Sequence, residues 1–157
     1  MNYIDLCIEQ KNKKAMLTLF ATKKSKAQKG HIMNLIKLAK ADGIISRQES
    51  SLLVKIGERN GISEEEVFEM VEVSDEFFYK KPANDSERFN QLYDLIEMMT
   101  IDGIVDDKEM SYTIEIAEKM GIRKAVAWIL VNRLVDGIKA GKKRDTLRRY
   151  ASEYLFM

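Results

Sequence analysis

The sequence predicts an all-α fold, a helical bundle of two pseudo-symmetric three-helix halves with a further helical segment at each end. Three observations carry this expectation. One proline and eight glycines among 157 residues leave long helices permitted almost everywhere. Apolar residues recur at i, i+3, i+4 and i+7, the spacing of one helix face. A shift of 60 residues lays the stretch 32–63 over 92–123 without a gap, the mark of an internal repeat.

Residues 1–30 read as an amino-terminal helical segment with Ile4, Cys7, Ile8, Met16, Leu19 and Phe20 at its apolar positions. The first half, about 32–73, opens with the stripe Ile32, Leu35, Ile36 and Ala39. That helix is expected to stop at Asp42-Gly43, because glycine adopts a left-handed backbone at no steric cost. Ser46-Arg47-Gln48-Glu49 then forms a capping box, in which the serine satisfies an orphan amide and the glutamate reaches back. Gly61-Ile62 supplies the glycine and following apolar residue of a Schellman stop. A second capping box, Ser63 to Glu66, leads into Val67, Met70 and Val71.

Residues 74–85, around Lys81-Pro82-Ala83-Asn84-Asp85, read as the linker between halves, with Asp85 or Ser86 capping the next helix. The second half, about 86–140, repeats the order. Leu92, Leu95, Ile96 and Met99 form its stripe, Asp102-Gly103 its turn, Asp106 to Glu109 its capping box and Gly121-Ile122 its stop. Ala127, Leu130, Val131, Leu134 and Ile138 follow on one wide face, and Trp128 is expected to pack with them. A basic carboxy-terminal helix over 141–157 carries Leu147, Tyr150 and Tyr154. The shifted halves share Asp42/Asp102, Gly43/Gly103, Glu49/Glu109 and Gly61/Gly121, which we read as a duplication. Neither half buries its stripe alone, so 1–157 is read as a single domain.

Hydrophobic residues at 45% exclude disorder, and charged residues at 32% exclude a membrane protein. The longest apolar run, 125–131, is far too short to span a bilayer, so no transmembrane segment is expected. One cysteine forms no internal disulfide, and the opening MNYIDLCIEQ holds two acids and no signal-peptide core; a cytoplasmic location is expected. Charge is balanced in total but not along the chain. Residues 1–60 carry +7, residues 61–120 carry −12 and residues 121–157 carry +6. Nine lysines fall in 11–40 with no acid among them, and Lys142-Lys143-Arg144 and Arg148-Arg149 form two further clusters. A basic surface touching nucleic acid or anionic membrane is one reading of these. Phe20 is the only aromatic between Tyr3 and Phe68, however, and the acidic middle can fold against both basic ends. A nucleic-acid interface is therefore not expected.

No nucleophile elbow, phosphate loop or dinucleotide fingerprint is present, and His31 is the only histidine, so no catalytic residue is assigned and the chain is read as non-enzymatic. His31 is placed at a helix start after Gly30, in a solvated or capping role. Cys7 reads as a buried inert thiol, and Met98, Met99, Met110 and Met120 as core filling.

The two Asp-Gly turns remain as candidates for chemistry. Their pattern matches the fifth to twelfth positions of an EF-hand loop, but Leu38 and Met98 occupy the places of the first ligand, and Lys40 and Thr100 those of the third. Calcium binding of the EF-hand type is not expected. Ala41-Asp42-Gly43-Ile44-Ile45-Ser46-Arg47-Gln48-Glu49, and the second copy from Ile101 to Glu109, instead resemble the A-D-G-x-I-x-x-x-E motif of the TerB-like (tellurite resistance) family. The resemblance covers roughly 30–140. It implies a helical bundle, a bacterial stress-associated accessory role and action through an unidentified protein partner. The alternative function is a divalent-metal site, with no other cofactor, in which Asp42, Glu49, Asp102 and Glu109 supply hard oxygen ligands. Against it stands a local role for each, with the aspartates bonding turn amides and the glutamates capping helices.

Overall fold

Seven helices and no strand make up the described residues of the computed structural model, which are 23–41, 43–73 and 79–155. They are α1 (Lys23–Ala39), α2 (Arg47–Arg59), α3 (Glu64–Glu72), α4 (Asp85–Thr100), α5 (Asp107–Lys119), α6 (Lys124–Lys139) and α7 (Arg144–Leu155). The amino-terminal apolar positions from Ile4 to Phe20, Cys7 included, lie outside the described residues, as do Asp42 and the linker stretch 74–78.

The predicted caps set the helix boundaries. Glu49 N–H donates to Ser46 Oγ at 3.2 Å while Ser46 N–H donates to Glu49 Oε2 at 2.7 Å. Ser63 and Glu66 make the same reciprocal pair at 3.2 and 3.0 Å. Asp106 N–H donates to Glu109 Oε2 at 3.1 Å, and Asp106 Oδ1 accepts from Lys108 N–H at 2.7 Å. At the other ends Ile62 N–H reaches Gly57 O at 2.9 Å and Ile122 N–H reaches Ala117 O at 3.2 Å, the long bond of a Schellman stop. Gly43 and Gly103 have φ of +101° and +83°, a conformation that a side chain would strain.

Three expectations need correction. The cap of α4 is Asn84, not Asp85 or Ser86: Asn84 Oδ1 accepts from Glu87 N–H at 2.9 Å, which leaves Asp85 to pair with Arg88 at 2.8 Å. His31 does not begin a helix. α1 starts at Lys23 and runs through Gly30, itself buried, so His31 sits mid-helix and is 3% exposed. Trp128 is 59% exposed, because α6 turns Ala127, Leu130, Val131 and Leu134 inward and leaves the next position facing water.

The core is built on α1 against α4, the most extensive helix pair. Ile32, Leu35, Ile36 and Ala39 meet Leu92, Leu95, Ile96 and Met99, none more than 1% exposed. α2 and α3 pack on α1, α5 and α6 pack on α4, and α7 closes over α4 and α6. Met98 and Met120 are buried and Met110 packs half-buried beside them, as core filling requires. α2 and α5 begin and end 60 residues apart, and α3 and α6 begin 60 apart. α6 then runs to Lys139 whereas α3 stops at Glu72, so the third helices differ in length.

Close approach of α2 and α3 depends on Gly57. A Cβ there would stand 2.6 Å from Val67 Cγ2, and valine has little rotamer freedom with which to yield. Gly57→Ala is therefore expected to cost about 1–3 kcal/mol and to lower the melting temperature by several degrees. A thermal melt unchanged from wild type would show that the helices move apart without cost.

Candidate functional site

Three of the four turn carboxylates proposed as metal ligands are described, and they divide between local bonds and charges that act on Glu109. Asp102, exposed in its turn, accepts from Ile104 N–H through Oδ1 at 2.9 Å. Glu49, buried, and Glu109, half-buried, each spend one oxygen on the cap of their own helix. Asp42 lies outside the described residues. Burial pushes the Glu109 carboxyl above its ordinary range against the pull of the Asp106 amide, and the charges of Asp102 and Glu49 push it further. Glu49 begins α2 and Glu109 begins α5, and the charge of the first reaches the second. Among the described residues no group of three metal-ligating side chains is assembled. Leu38 and Met98, in the places of the first EF-hand ligands, are core residues.

The basic clusters are partly spent inside the fold. Lys29, 4% exposed, pairs with Glu66 at 3.3 Å, and Lys40 Nζ donates to Val71 O at 2.5 Å. Arg148 donates to Ser86 Oγ at 3.0 Å and Asn90 Oδ1 at 2.7 Å, with its guanidinium 4.9 Å above the Phe89 ring. Only the first of these joins a base to an acid; the others spend basic side chains on neutral groups of the middle segment. Lys142, Lys143 and Arg149 remain exposed.

A polar cluster that sequence reasoning missed lies between α1, α2, α4 and α7. Asp94, 1% exposed, is its centre. His31 donates through Nε2 to Asp94 Oδ2 at 2.9 Å, since an ionised carboxylate can only accept. Arg59 Nη2 donates to Asp94 Oδ1 at 2.6 Å and Arg144 Nη1 donates to the same oxygen at 3.2 Å. Arg144 also donates to Asn90 Oδ1 at 3.1 Å and stacks 4.3 Å over the Tyr93 ring. Burial alone would raise the Asp94 carboxyl. The His31 hydrogen bond and the Arg59 guanidinium outweigh it and hold the group below its ordinary 3.8. Periodicity holds no signal for it: at 3.6 residues per turn Asp94 falls on the side of α4 away from Leu92, Leu95 and Ile96, and it is buried because α4 is covered on that side too.

A carboxyl lowered in the folded state contributes stability that is present above its unfolded value and lost as pH falls through the folded one. Wild type is therefore expected to lose stability below about pH 4. Asp94→Asn should cost about 2–3 kcal/mol at neutral pH, less than a fully buried pair because Arg59 is half exposed, and should flatten that acid limb. Denaturant melts from pH 3 to 7 that run parallel for the two proteins would count against Asp94 as the titrating group.

Compared with protein-family models, with curated proteins and with solved structures, the chain gives no match.

Proposed function

We propose that the chain is a non-enzymatic, TerB-like accessory domain of the bacterial cytoplasm, associated with stress, that works by protein contact. The observation that carries this reading is a pair of exposed aromatic residues at corresponding places in the two halves. Phe68 on α3 is 47% exposed and Trp128 on α6 is 59% exposed, 60 residues apart, with Ile129 at 42% beside the latter. Single exposed apolar residues are ordinary, but the same position left apolar and solvent-facing in both halves is what a contact surface needs.

The charges around the two aromatics are opposite. Phe68 is flanked by exposed Glu64, Glu65, Glu69 and Glu72, and Trp128 by exposed Arg123 and Lys124. Each face thus complements the other, and the partner that fits is a second copy of this chain, bound α3 to α6. In sedimentation velocity the protein is expected to associate as concentration rises, with Trp128 emission shifting to the blue. Phe68→Ser or Trp128→Ser should each weaken association about tenfold or more, the worth of one buried aromatic. Mixing the two variants should restore a heterodimer, because one intact α3 face then meets one intact α6 face. A monomer at every concentration, or association that ignores both substitutions, would overturn this.

A second reading, a divalent-cation site shared by the turns, rests on the charges of Asp102 and Glu49 acting on Glu109. A cation between them would relieve that repulsion. Under this reading millimolar manganese, magnesium or calcium raises the wild-type melting temperature and leaves Asp102→Asn unmoved. An equal response from both, or none from either, removes it. Isothermal titration is expected to show no micromolar calcium site, because Leu38 and Met98 cannot leave the core to ligate.

A further inference from the structure

The Asp94 cluster forms one wall of a cleft of about 840 Å³, within the range of small-molecule sites. Four cationic side chains line it: Arg59 from α2, Lys80 and Lys81 from the segment before α4, and Arg144 from α7. Among the described residues the acids on the same walls are Asp94 and Glu87, and Lys80 already has a partner, so the cations that face an anion are Arg59, Lys81 and Arg144. Asp94 takes one nitrogen of Arg59 and one of Arg144, and Asn90 takes another of Arg144. The remaining guanidinium donors are held in place with their side-chain entropy already lost, which is how an anion site is preorganised.

Two further atoms specify more than an anion. His31 Nδ1 and Gln91 Oε1 are buried without a hydrogen-bond partner, and both residues, 3% and 8% exposed, line the cleft. Buried polar atoms are rarely left so, and an unmet acceptor calls for a donor. Gln91 presents an acceptor in its carbonyl oxygen, and a hydroxyl group, donor and acceptor at once, can meet both it and His31 Nδ1. We infer that the cleft binds a small phosphomonoester bearing hydroxyl groups, its phosphate held by Arg59 and Arg144 with the exposed Lys81 turning from its place beside Gly121 to join them, and its hydroxyls paired with Gln91 Oε1 and His31 Nδ1. This site is separate from both the aromatic faces and the Asp-Gly turns, and it stands whether or not those readings do.

His31 is the only histidine in the chain, so its ring resonances report on the cleft without ambiguity. The probe is ribose 5-phosphate, titrated at constant ionic strength while the His31 ring nitrogens and carbon-bound protons are followed by NMR. Inorganic phosphate, ribose and sodium chloride are titrated alongside. Ribose 5-phosphate is expected to give a saturable shift, at least tenfold tighter than inorganic phosphate or ribose. Lys81→Gln, a change at an exposed residue outside the Asp94 ion pairs, should weaken it fivefold or more with the melting temperature unchanged. Gln91→Leu should narrow the preference over inorganic phosphate. The proposal is overturned by a shift that sodium chloride reproduces, by equal affinity for ribose 5-phosphate and inorganic phosphate, or by a shift indifferent to Lys81→Gln.

Discussion

Two apolar stripes far apart in the chain, Ile32-Leu35-Ile36-Ala39 on α1 and Leu92-Leu95-Ile96-Met99 on α4, are removed from water almost entirely by one another and by the helices laid over them. Each large side chain so buried contributes about 1.5–3 kcal/mol. Among the described helices no other pair is as extensive, and α2, α3, α5, α6 and α7 all pack against one or both of these two. The capping boxes and glycine stops do a different job. They fix where α2 and α5 begin and end, so that Leu53, Ile56 and Ile116 arrive facing the central pair.

Placing Asp94 on that central pair has a cost, because a carboxylate taken out of water loses its hydration. His31, Arg59 and Arg144 offset it, and they come from three different helices. An uncompensated charge in the α1–α4 contact would be far more costly than a missing methyl group, so the cluster disfavours arrangements in which α2 or α7 docks elsewhere. It also explains the fate of the basic carboxy-terminal helix. Arg144 and Arg148 are drawn onto α4, onto Asp94, Asn90 and Ser86, while Lys142, Lys143 and Arg149 stay in solvent.

Polar residues in the central helices recur with the same 60-residue spacing as the apolar ones. His31 and Gln91 are both buried, and so are Asn34 and Asp94. Within this shared framework the side chains diverge: His31 bonds Asp94, whereas Asn34 accepts from Tyr112 at 3.4 Å. The same holds at the surface, where Phe68 stands among glutamates and Trp128 beside basic residues. At these three pairs of positions the burial is alike while the chemistry differs.

Helix type, the positions of the glycine stops, three of the caps and the apolar faces of α1, α4 and α6 were all legible in the sequence, because each is decided within about four residues by backbone sterics, capping or periodicity. Asn84 was passed over for Asp85 because several neighbouring side chains could cap and only their geometry chooses. His31 and Trp128 were misplaced for a deeper reason. A histidine after glycine looks like a helix start until a partner 63 residues away gives it cause to be buried. A tryptophan in an apolar run looks like core until the rotation of α6 is set by its contacts with α4 and α5. The local sequence determined which segments are helices and where they stop; the choice of which polar group meets which, and so the existence of the Asp94 cluster and its cleft, belongs to side chains from four helices that only tertiary packing brings within hydrogen-bond reach.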